Sequence, residues 1–199
     1  MPHFRMLRDQ RGSNTVEMSI ALMVLIVLTL GVCDLGVALW QWNLAEKATQ
    51  AGARLAAVSD PVAPSIVTWE GDLTKYQGGT RCWDAVGHTD ICAPATKVIT
   101  CNSSGCGGQT ANAAAFKAIV TRMQTLLPKI QPANVVVEYT YNGLGFIGRP
   151  GGQPVDVTVR LTGMTFDFLV LDHLVGLPDK ITMPPATATL TGEDYNSAL

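Results

Sequence analysis

The stretch from Met18 to about Trp40 is a predominantly apolar run of 23 residues. As a helix it is about 35 Å long, enough to cross a hydrocarbon core of about 30 Å with some tilt. Arg5, Arg8 and Arg11 precede it against a single Asp9. Basic flanks stay in the cytoplasm, so the N-terminus is expected inside and the chain after Trp40 outside. Trp40 and Trp42 fall where an interfacial aromatic belt belongs. A secretory signal peptide cut after Ala38 or Ala45 is the competing reading. Its apolar core would span about 7–15 residues. Here the run is longer and flows into Leu39, Leu44, Ala48, Ala51, Leu55 and Val58, at steps of three to five. One retained helix over 13–58 is expected, membrane-spanning first and then amphipathic. Gly31 and Gly36 inside it allow close helix approach. Pro61 and Pro64 end it.

Glu17 stands at the lip of the apolar run. An acid deep in a bilayer costs about 2.5–3.5 kcal/mol, so this carboxylate invites a functional explanation. The plainer reading is a first-turn carboxylate facing the helix dipole at the membrane surface. Asp34 lies about 25 Å further along the helix. Contact with the outer headgroups and contact with a neighbouring subunit are both open to it.

The net charge is −2 and no basic stripe runs through the chain, so nucleic acid is not an expected partner. Beyond the anchor the composition suits a small exported domain. Cys33 lies in the apolar span as a small hydrophobe. Cys82, Cys92, Cys101 and Cys106 lie in the exported part, where two disulfides are expected with three possible pairings. Loop locality favours Cys82–Cys92 and Cys101–Cys106 without deciding it. Zinc is a poor second: no C-x-x-C occurs, and His88 is the one histidine near the cysteines.

The pattern predicts an α+β fold: residues 1–12 as a leader, the helix over 13–58, a loop-rich disulfide-bearing region over 59–110 and an exported domain over 111–199. Short strands are expected at Ser65–Trp69 and Lys97–Cys101. Thr110 or Asn112 can cap a helix to about Leu127, with Ala115, Ile119, Met123 and Leu126 or Leu127 on one face. Val135–Tyr141 and Val155–Thr162 alternate with period two, as a hairpin with a flexible, Gly-rich connection. Phe166–Val175 is apolar, as strand or short helix. Ala186–Gly192 is a last strand, giving an antiparallel sheet of about three or four strands beside one short helix.

Arg11-Gly12-Ser13-Asn14-Thr15-Val16-Glu17 resembles the processing site of type IV pilin-like proteins. The order of parts resembles the TadE-like minor pseudopilins of tight-adherence (Flp-type, type IVb) pili. Asp34-Leu35-Gly36 is similar to that family's acidic-apolar-Gly pattern. Lys47-Ala48-Thr49-Gln50-Ala51-Gly52-Ala53-Arg54 is similar to its Ala-rich segment ending in Gly-Ala-Arg. Val155–Val159, Leu177-Pro178 and the 181–191 stretch also resemble its strands. The resemblance implies cleavage by a prepilin peptidase between Gly12 and Ser13. It also implies assembly through Glu17, with Asp34 as a second candidate. The implied partners are other pilins or pseudopilins and the platform in the bacterial inner membrane, with the domain in the periplasm. A membrane-anchored periplasmic binding module outside any filament is the alternative.

Enzyme chemistry has no motif here. His3, His88 and His173 are scattered, and neither H-E-x-x-H nor G-x-S-x-G occurs. No cofactor is expected. Gly143-Leu144-Gly145-Phe146-Ile147-Gly148 matches G-x-G-x-x-G, but the helix that would hold a pyrophosphate is not predicted after it. Asn102-Ser103-Ser104 is a weak glycosylation sequon.

Overall fold

The computed structural model describes residues 11–84, 87, 89–168, 180–192 and 195. Expectations placed on residues 1–10, His88, 169–175 with His173, and Leu177-Pro178 lie outside the described residues. The chain divides into two units, Met1–Trp40 with Phe166–Ile181 and Gln41–Thr165 with Thr182–Leu199. Helix α1 (Arg11–Val58) contributes to both.

In the first unit α1 is apolar all round. Every residue from Asn14 to Ile26 is exposed. The most apolar 18-residue window has a mean hydropathy of 2.6 and is only 6% buried, so this is not the core helix of a water-soluble fold. It is long and apolar enough to cross a membrane. Its hydroxyls are already satisfied by the helix backbone: Ser19 donates to the Thr15 carbonyl at 2.8 Å and Thr29 to that of Ile26 at 2.9 Å. Strands β6 (Thr165–Asp167) and β7 (Lys180–Thr182) pair with each other. Phe166 and Phe168 meet edge to face at 5.4 Å.

The second unit is α+β. Strands β3 (Val98–Cys101), β4 (Val135–Tyr141), β5 (Val155–Leu161) and β8 (Ala186–Thr191) form one antiparallel sheet in the order β3-β4-β5-β8. The register of β4 and β5 pairs Val135 with Leu161 and Tyr141 with Val155. Period-two alternation puts Val135, Val137, Tyr139 and Tyr141 inside, with Val155, Val157, Val159 and Leu161. On the other face Arg160 meets Glu138 at 2.7 Å. Helix α3 (Ala113–Gln124) starts at Asn112, whose side chain accepts from the Ala114 and Ala115 N–H groups. It buries Phe116, Ile119, Val120 and Met123. Leu127 is buried and Leu126 is not. Two short strands, β1 (Trp83–Asp84) and β2 (Thr89–Asp90), pair antiparallel within the disulfide-bearing region.

Two expectations change. Ser65–Trp69 is not a strand; Ser65–Thr68 is a one-turn helix, α2. Pro64 is already in the helical region at φ −59°, ψ −20°, and the Thr68 hydroxyl donates back to the Ser65 carbonyl. The inward face of the second part of α1 is also different. It consists of Ala45, Ala48, Thr49, Gly52, Ala53, Ala56 and Ala57, while Leu39 and Val58 are exposed. Close approach to α3 is the reason. A Cβ on Gly52 would lie 2.9 Å from Cγ and Sδ of Met123.

Candidate functional site

Two faces carry the polar chemistry. The first is the start of α1. The helix runs through Gly12 and Ser13 without a break. Glu17 is exposed on it, beside an open hollow lined by Asn14, Thr15, Met18 and Ala21. Among the described residues Glu17 makes no hydrogen bond or ion pair. This leaves one carboxylate on a surface that is otherwise uncharged and on which Val16, Met18, Ile20 and Leu22 are exposed. Asp34 is in a different setting. It is only 2% exposed, although Cys33, Leu35 and Gly36 beside it are exposed. Cys33 carries a free thiol.

The second face is the disulfide-bearing region. Cys82–Cys92 and Cys101–Cys106 are bridged, with Cα–Cα distances of 4.9 and 4.0 Å. Asp90 approaches the Cys82 and Cys92 sulfurs. Bridging takes both sulfurs out of the thiolate form that binds metal, which leaves the carboxylate alone as a donor. Asp90 Oδ1 instead accepts from the Cys92 and Ala93 N–H groups at 3.0 and 3.2 Å. The Trp69 indole N–H donates to the Cys92 carbonyl at 2.6 Å.

The Gly-rich segment between β4 and β5 is a hairpin connection, but a clamped one rather than the flexible one expected. The Ile147 N–H donates to the Thr80 carbonyl, that of Gly148 to Glu70, and that of Cys82 to Gly145. Ile147 is fully buried against the Cys82–Cys92 bridge. Gln153, 2% exposed, sends its amide N–H groups to the Glu70 and Phe146 carbonyls at 3.1 and 3.0 Å. Strand β5 follows the glycines, so the helix N-terminus that a dinucleotide phosphate needs is not there. Sequence reading missed Gln153 because its partners are backbone carbonyls, which leave no side-chain pattern.

Burial raises the pKa values of the two inward-facing tyrosines of β4. The Tyr139 hydroxyl accepts from the Val62 N–H at 2.9 Å; desolvation pushes its pKa up to about 12 against the smaller opposing effect of that bond. Tyr141 is also pushed up to about 12, first by burial and then by the Asp90 charge. On the surface the Thr74 hydroxyl, followed by Lys75, lowers Asp72 to about 2. A cleft of about 600 Å³ lies beside Trp69 and Tyr141, lined also by Ser65, Thr68, Ile99 and Gln109.

Residues 12–54 match the model of the TadE-like protein family. The N-terminal helix is TadE-like. The TadE-like match starts at Gly12 and ends at Arg54, so it takes in the apolar span and most of the small-residue face. The match falls on the same helix that is long and apolar enough to cross a membrane. No curated protein and no solved structure matches the chain. The bridged sheet domain after the TadE-like helix is therefore understood from its own geometry.

Proposed function

We propose that this chain is a minor pseudopilin of a tight-adherence pilus, serving as a priming, tip or minor subunit rather than as an enzyme. A prepilin peptidase removes the leader after Gly12. The mature chain stays in the bacterial inner membrane with its N-terminus cytoplasmic and the bridged domain periplasmic. From there it joins other pilins or pseudopilins on the assembly platform. The observation that carries this reading is Glu17: exposed, unpaired among the described residues, and set in an apolar helix surface five residues after the start of the TadE-like match. Cleavage would create an amine on Ser13, about one helical turn from that carboxylate. An unpaired carboxylate in an apolar filament core is expensive, so a neighbour's amine is its natural partner and fixes the axial register. Asp34 is the second assembly residue of this reading. Being buried, it acts by shaping the helix that is presented and not as a free surface charge.

Glu17→Ala should keep membrane insertion and cleavage, which need no carboxylate, and lose incorporation into pili. The measurement compares mature protein in membranes with protein in sheared pili. Equal incorporation of variant and wild type would reduce Glu17 to a helix-end residue. It would favour the second reading, a membrane-anchored periplasmic binding module, for which the cleft at Trp69 and Tyr141 is the supporting observation.

A further inference from the structure

The second unit has a basic cleft that the proposed function leaves unused. It is about 410 Å³, lies between α1 and α3, and is lined by Lys47, Gln50, Ala51, Arg54, Leu55, Val58 and Arg122. Lys47 and Arg54 are two turns apart on α1, about 10 Å along one face. Arg122 faces them from α3. No acid lines the cleft, and Glu46, next to Lys47 in sequence, is not part of it. None of the three cationic side chains has a hydrogen bond or ion pair among the described residues. An acid three or four residues away would pair with an exposed cation on a helix. Here the i±3 and i±4 neighbours of Lys47 are Leu44, Gln50, Asn43 and Ala51, and those of Arg54 are Ala51, Ala57, Gln50 and Val58. Arg122 has only Ile119, Thr125, Ala118 and Leu126. In a chain of net charge −2 this is a local excess of three positive charges over an apolar floor.

We infer that this cleft docks an acidic segment of a neighbouring protein subunit. Charge complementarity selects an anion, and Leu55 and Val58 select one carried on apolar side chains. Height selects protein over lipid. Counted from the exposed Trp40 that ends the apolar run, Lys47 stands about 10 Å and Arg54 about 21 Å further along the helix. Arg54 thus clears a headgroup layer roughly 5–8 Å deep. The inference rests on the proposed function in taking the partner from the same assembly.

The test uses the full-length protein in its own cells, with a photo-reactive phenylalanine in place of Gln50. Irradiation should join it to a protein, and the joined peptide should carry a net negative charge. The yield should fall at least ~5-fold when Lys47→Gln, Arg54→Gln and Arg122→Gln are combined. In isolated membranes of the unaltered trio it should fall similarly at about 1 M salt, where the screening length is about 3 Å. A non-reducing peptide map showing both bridges confirms that the triple variant is folded. A lipid adduct, no adduct, a neutral or basic peptide, or a yield indifferent to the trio and to salt overturns the inference. The mature N-terminus in the same sample reports on the pseudopilin reading separately. An acidic protein adduct without a Ser13 start keeps the docking surface and removes the pilus; a Ser13 start without an adduct does the reverse.

Discussion

Gly12 lies inside the first described turn of α1, where the backbone is helical. Proteolysis engages an extended backbone, so the cleavage proposed after Gly12 requires this turn to open at the Gly12–Ser13 bond. Glycine favours the helix by about 1 kcal/mol less than alanine, which makes it the easiest place to open. Gly12→Val adds a stiff β-branched side chain at the bond to be cut, and the precursor should remain uncut. The intact mass of the membrane-bound protein, with or without residues 1–12, reads this directly. Gly152 is a different case. Its φ is +86°, and a Cβ there would collide with the Ile66 carbonyl oxygen, which is backbone and cannot swing aside. Gly152→Ala should therefore cost about 1–3 kcal/mol, seen as a lower denaturation midpoint of the full chain in detergent. The exposed position of Glu17 on α1 was legible in the sequence because a charge breaks an apolar run. Lys47, Arg54 and Arg122 were not, because the third cation reaches the cleft from a helix some 70 residues away.

Local closure explains which elements could be read in advance. Strands β4, β5 and β8 and helix α3 announce themselves by clean periods, β3 only as a short apolar stretch, and both bridges join neighbouring cysteines. Helix α2 does not: one turn nucleated by Pro64 is too short for any period to register. The inward face of α1 escaped for another reason. Hydropathy rewards leucine, whereas this face was selected for smallness, to let Met123 approach Gly52. The bridges differ in what they hold. The Cys82–Cys92 loop spans ten residues and packs on Ile147, while Cys101–Cys106 spans five. Chain entropy alone predicts that opening the longer loop costs about 0.6 kcal/mol more, within losses of about 2–5 kcal/mol each. Cys82→Ser with Cys92→Ser should thus lower the unfolding midpoint further than Cys101→Ser with Cys106→Ser. It should also expose the Gly143–Gly148 hairpin connection to proteolysis.

For the whole molecule, alkaline pH is the informative stress. Tyr139 and Tyr141 hold their protons to about pH 12 when folded and ionise near 10 when unfolded. The folded values are raised, so this contribution to stability is complete below about pH 10 and lost as the pH climbs through about 12. The melting temperature should be insensitive to pH between about 8 and 9.5 and fall steeply above 10. Tyr141→Phe, which removes one of the two ionisations, should flatten that fall; an unchanged slope would place the titrating groups elsewhere.

A protein pulled at its ends by a retracting fibre is limited by how much chain it can pay out. At about 3.4 Å per extended residue, the ten- and five-residue bridged loops withhold about 40 Å of contour, after allowing for Cα separations of 4.9 and 4.0 Å. Tension can peel strands from the sheet, but it cannot lengthen these two loops until sulfur chemistry releases them. The bridged domain is therefore a spring with two fixed stops, and its longest reach is set by the redox state of its surroundings.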